Sequence, residues 1–110
     1  MGRHLCVIAA SLLWAAAALG DPAAGRQAEL RHMLTHDCGS CHGLRLTGGL
    51  GPPLTSASLG DKDVAALKVI IMEGVPGTPM PPWKGLLSGE EAGWLARYMK
   101  GLEHTKETTP

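Results

Sequence analysis

Cys38-Gly-Ser-Cys41-His42 constrains this chain more than any other stretch of it. C-x-x-C-H is the attachment signature of haem c. Each thiol adds to one vinyl group of a porphyrin and forms a thioether. The two-residue gap sets the sulfurs at the separation of those vinyls. The histidine that follows is then held under the iron as its proximal ligand. Cys38 and Cys41 are thus the expected attachment points and His42 the expected iron ligand. Other chemistries use the same residue types. A thiol–disulfide switch usually sits on a strand-to-helix turn of a βαβ fold, and no strand pattern precedes Cys38. A zinc site would draw on His32, His36, Cys38 and Cys41, but no second, separated pair closes a loop around the metal. A structural disulfide between such close cysteines is the remaining alternative.

The start of the chain reads as an export signal covering residues 1–20. Arg3 and His4 form a short polar region, and an apolar run over 5–19 follows, interrupted only by Ser11. Ala18-Leu19-Gly20 then places small residues where a signal peptidase reads them. The run is short for a membrane span, although an uncleaved anchor helix is the competing reading. Cys6 lies too early for a lipoprotein site and is expected to leave with the signal. Export to the periplasm agrees with the motif, because haem c is attached outside the bacterial cytoplasm. The remaining residues divide into an expected domain, 21–102, and a flexible tail, 103–110.

A mature chain of about ninety residues is marginal for an unaided core. Phenylalanine is absent and aromatics make up 4% of residues, so a large apolar cofactor would complete the interior. The formal net charge of zero gives no footprint for nucleic acid or for a charged membrane surface. A monomer with no stable membrane insertion after signal cleavage is expected.

Periodicity predicts three main helices. The first covers 23–35, with Gln27, Leu30, Met33 and Leu34 at helical spacing. The second covers 62–73, with Asp61 as N-cap, Gly74 as terminator and a buried stripe of Val64, Leu67, Ile70 and Ile71. The third covers 89–101, opened by the capping box Ser88-Gly-Glu-Glu91. Its apolar stripe is Ala92, Leu95, Ala96, Met99 and Leu102. Loops rich in glycine and proline are expected over 43–60 and 75–87.

An iron held by one histidine has a second axial position. Met80 is the candidate, in the loop Gly77-Thr-Pro-Met-Pro-Pro-Trp83, whose three prolines limit its conformations. The plainer alternative is an apolar loop residue. His32, His36 and His104 are fallback ligands, while Met33, Met72 and Met99 read as core side chains.

The order helix, C-x-x-C-H, glycine-rich loop, Gly51-Pro-Pro-Leu54, helix, glycine, Met80-Pro loop and C-terminal helix resembles the class I cytochrome c fold. That resemblance covers about residues 27–102. It implies an all-α fold, with three main helices and loops wrapped around one covalently bound haem c. It also implies that Pro52 offers its backbone carbonyl to His42 and that Leu54 packs on the proximal haem face. Leu95 and Tyr98 match the family's leucine and tyrosine of the last helix, and Trp83 joins the implied haem contacts. A narrower resemblance rests on Asp37-Cys-Gly-Ser-Cys-His-Gly43, Leu46-Thr-Gly-Gly-Leu-Gly-Pro-Pro-Leu54 and Pro76-Gly-Thr-Pro-Met-Pro-Pro-Trp83. These segments are similar to the small periplasmic cytochromes encoded beside the haem-cd nitrite reductase of denitrifying bacteria. The implied role is single-electron transfer to that reductase or to the maturation of its d-type haem, with other redox proteins as partners. A haem enzyme with a labile sixth ligand, either a peroxidase or a maturation catalyst, is the alternative.

Overall fold

The structure, a computed structural model, describes residues 20–103. The expected signal, except Gly20, and the tail beyond Glu103 lie outside the described residues, as does His104. Among the described residues every regular element is helical.

Helix α1 is Ala24–Met33. Its cap residue, Ala23, has no polar side chain, and Gln27 Nε2 ties the helix start to the Pro22 carbonyl at 2.9 Å. Leu30 and Leu34, four apart on one face, are buried. The helix does not stop at Thr35 as the sequence suggests. The chain winds on through a wider π-helical segment, Leu34–Cys38, into the short α2, Gly39–His42. Thr35, His36, Asp37 and Gly39 are weak helix formers, so the sequence alone reads as a terminus there. Packing overrides propensity: Gly39 is buried, and Leu34 and Cys38 both meet the core.

Gly43 ends this run. Its φ is +89°, and a Cβ there would lie 2.6 Å from the Gly48 carbonyl oxygen, so only glycine fits. The following loop folds back on α2. The Gly51 N–H donates to the Cys41 carbonyl at 2.8 Å and the Gly48 N–H to the His42 carbonyl at 2.9 Å. Those last-turn carbonyls have no partner within the helix. Inside the expected 43–60 loop lies a single helical turn, α3, Ser56–Leu59, capped by the Thr55 hydroxyl. Four residues are too few to leave a periodic pattern in sequence.

Helix α4, Val64–Glu73, is capped by Asp63 rather than by the expected Asp61. Asp63 Oδ1 accepts the Ala66 N–H at 2.6 Å; a cap must reach the third N–H of its helix, and Asp61 is two residues too early. Gly74 closes α4 at φ +67°. Leu67 is buried, while Val64, Ile70 and Ile71 are half-buried.

Helix α5 is Gly89–Met99. Its capping box is complete: Ser88 Oγ accepts the Glu91 N–H at 3.1 Å, and Glu91 Oε1 accepts the Ser88 N–H at 2.9 Å. Arg26 of α1 donates to the other oxygen of Glu91. Arg26 and the Ser88 amide together hold the Glu91 carboxyl below the usual carboxylate range. That contribution to stability is present at neutral pH and is lost as acid protonates the group. The residues buried on α5 include Gly93 and Trp94 besides the expected Ala92, Leu95 and Ala96. A wider arc than one stripe is covered because α5 packs against both α1 and α4. Leu102, expected on the stripe, is exposed beyond the helix end. Glu103, expected in a free tail, is half-buried and accepts from Arg97 Nε at 2.5 Å. Lys100 Nζ donates to the Leu59 carbonyl at 3.1 Å and fastens α3 to the end of α5.

Candidate haem-attachment site

Cys38 closes the π-helical segment, and Cys41 and His42 follow within α2. The thiols are three positions apart on a helix, so they emerge on one side of it. Both are free. Burial pushes the Cys38 thiol pKa up, and the negative charge of Asp37 adds to the effect. The turn between the thiols is braced by Ser40 Oγ, which donates to the Asp37 carbonyl at 2.7 Å.

His42 Nδ1 lies 2.7 Å from the Pro52 carbonyl oxygen. A carbonyl only accepts, so Nδ1 carries the proton and Nε2 keeps a lone pair. The loop bonds that cap α2 bring Gly51 and Pro52 to this position. Gly51 supports the ring from below. A Cβ on it would lie 2.7 Å from both Cε1 and Nδ1 of His42. Replacing Gly51 with Ala should therefore displace the imidazole and destabilise the fold by about 1–3 kcal/mol, the usual range for overpacking. Gly25→Ala is the control, because nothing lies within 4 Å of its Cβ position. It should be neutral or slightly stabilising in the same denaturant titration of the haem-loaded protein. Equal stability of the two variants would sink the argument.

Met80 lies on a separate loop and is half-buried. This loop is held against the C-terminal turn of α4 by backbone bonds. The Trp83 N–H donates to the Ile71 carbonyl at 3.0 Å and the Lys84 N–H to the Met72 carbonyl at 3.3 Å, while within the loop the Val75 N–H donates to the Met80 carbonyl at 3.2 Å. Thr78 Oγ1 accepts the Met80 N–H at 3.3 Å. A Cβ on Gly74 would lie 2.7 Å from the Met80 carbonyl oxygen, so the glycine permits this close approach as well as its positive φ.

The remaining expected residues gather on one core. Leu95 is buried, and Leu54, Trp83 and Tyr98 are half-buried around it together with Cys38. Tyr98 stacks on Trp94, with ring centroids 5.2 Å apart and planes 17° apart. Sequence periodicity missed Trp94, although its spacing of four from Tyr98 on a capped helix was a usable signal. Also missed were Leu44 and Leu50, exposed at 68% and 76%, which place apolar surface beside the attachment motif. Among the described residues no cluster of three or more His, Cys, Asp and Glu side chains is arranged to hold a metal ion. The zinc alternative is therefore not formed.

The residues present fit a covalent haem. Two free thiols stand one turn apart, a histidine with an available Nε2 is fixed by a backbone acceptor, and half-buried apolar side chains pack on the same core as Cys38. The family model described as "Cytochrome C oxidase, cbb3-type, subunit III" matches residues 25–99. Cytochrome c55X of Paracoccus denitrificans is 53% identical over 92 residues, which are 84% of this chain and 89% of that protein. Cytochrome c55X of Pseudomonas aeruginosa is 59% identical over 81 residues, 73% of this chain and 68% of that protein. The solved structure of the c-type cytochrome NirC superimposes with a TM-score of 0.72 at 57% identity, over 74% of this chain and 96% of that one. Helical architecture, attachment motif and relatives agree: the chain belongs to the c-type cytochromes of the cytochrome c55X group, electron-transfer proteins that hold haem c covalently.

Proposed function

We propose that this chain is a periplasmic carrier with a single haem c, held by Cys38 and Cys41 and ligated by His42 and Met80, that passes electrons into the nitrite reductase system. The hydrogen bond from His42 to Pro52 is the observation that carries the reading. It fixes the imidazole's orientation and tautomer, as a partner on the far nitrogen of a metal-bound histidine does. When bound, haem c supplies a one-electron couple whose potential the axial ligands set. The chain's own residues would keep that couple from becoming an open catalytic site. His42 is locked from below by Gly51, and Met80 is carried on a loop braced by backbone bonds. If both side chains held the iron, they would need little rearrangement when its charge changes, which would suit a carrier better than a peroxidase. Leu54, Trp83, Leu95 and Tyr98 would line the pocket.

One C-x-x-C-H occurs in the sequence, which supports a single haem, and the apolar leader supports export. The exposed Leu44 and Leu50 beside the motif supply an apolar contact for a redox partner, and the formal net charge of zero leaves little charge steering. The likeness to cytochrome c55X, together with the three motif segments quoted above, supports the link to nitrite reduction.

Visible spectra and potentiometry of wild type and Met80→Ala test the ligand set. The oxidised wild type should show a sulfur-to-iron charge-transfer band and the variant should lack it. The variant's potential should fall by on the order of 0.1 V, within the roughly 0.8 V that axial ligands command. A band that survives the substitution would remove Met80 from the iron.

A further inference from the structure

His32 and His36 take no part in the site described above. His32 lies in the last turn of α1 and His36 in the π-helical segment that follows. Residues four apart on an α-helix share a face but are offset around its axis. The wider winding at Leu34–Cys38 reduces that offset. The two rings meet as a result, with centroids 4.2 Å apart and planes tilted by 40°. Both side chains are exposed, and among the described residues neither ring has a hydrogen-bond or ion-pair partner. Rings this close can bring one nitrogen each to a shared ion by rotation of the side chains, with the backbone left in place.

We propose that His32 and His36 form a bidentate surface site for a divalent late transition-metal ion, with Cu2+ held more tightly than Zn2+. Imidazole suits both ions, and a given nitrogen site prefers copper. Among the described residues no third His, Cys, Asp or Glu completes the set, so water fills the other positions. The site is therefore open and exchangeable, unlike a closed four-ligand structural centre.

The test is a titration of the tag-free, haem-loaded protein with Cu2+ in a weakly coordinating buffer. Copper EPR and competition against a chelator are the readouts. One ion per chain should bind, with a nitrogen hyperfine pattern from two imidazoles. His32→Ala and His36→Ala should each weaken binding at least tenfold. Even a group that only orients a metal-bound histidine is worth about 10- to 100-fold in affinity. His104→Ala should leave the affinity unchanged, and Zn2+ should displace Cu2+ only in molar excess. The haem spectrum of each variant checks that the fold is intact. Equal affinity in the wild type and both pair variants would overturn the proposal. So would binding that vanishes with His104→Ala, or none below millimolar Cu2+.

Discussion

The double variant Cys38→Ala, Cys41→Ala should be exported as a colourless polypeptide with no covalent haem and no cooperative unfolding transition. The reason lies in the size of the core. Leu30, Leu34, Leu59, Leu67, Leu87, Ala92, Trp94, Leu95 and Ala96 are the buried hydrophobic residues among those described. Two of them are alanines, which contribute little apolar area. Met33, Leu54, Met72, Trp83, Tyr98 and Met99 stay half-buried around that core. Under the proposed function, a bound porphyrin would cover part of that exposed surface. Net stabilities of small domains are only about 5–15 kcal/mol, so losing that burial removes most of the margin. A group bound only by the folded state adds its binding energy to folding. Haem staining after denaturing electrophoresis and far-ultraviolet circular dichroism are the measurements. A single cysteine variant should keep one thioether and an intermediate stability. If the double variant kept a covalently attached haem, these cysteines would not be the attachment points.

Trp94→Ala should cost about 3–5 kcal/mol, the range for truncating a large buried aromatic. Trp94 is 1% exposed and is the largest of the fully buried side chains. It sits on α5 in the cluster shared with Leu30 and Leu34 of the N-terminal helical run, so the cavity would open where those elements meet. The stack with Tyr98 would also be lost, worth about 0.5–1.5 kcal/mol beyond the area buried. For a domain of this size each kcal/mol moves Tm by about 4–8 °C, so a fall of more than about 12 °C is expected in thermal scans. Trp94→Phe should lie between the two. Leu102→Ala, at an exposed position, should stay within about 0.5 kcal/mol of wild type. A Trp94→Ala protein as stable as the Leu102→Ala protein would refute this account of the core.

Chemistry was legible in the sequence wherever it depends on residues close together along the chain. The Cys38-to-His42 motif, the Ser88–Glu91 capping box and the Gly74 terminator are all local. Each is specified by spacing within one turn or one loop, so reading along the chain finds them. The three main helices follow from the same short periods, which is why their existence was clear while their ends moved. Asp63 instead of Asp61 is an error of that kind, decided by which carboxylate reaches the Ala66 amide.

What the tertiary structure alone decided is where a contact outweighs a local preference. Helix continues through Thr35, His36, Asp37 and Gly39 because Leu34 and Cys38 are held on the core, against weak intrinsic propensity. Trp94 is buried because α5 is covered from two sides, which a one-stripe pattern does not encode. The contact between the His32 and His36 rings depends on the π-helical winding between them, and no spacing rule announces it. The fit of the His42 ring against Gly51 depends on loop bonds that return to the carbonyls of α2. Sequence thus determined which groups are present and how they are spaced. Burial and close packing, which act between residues far apart in the chain, determined which of those groups meet.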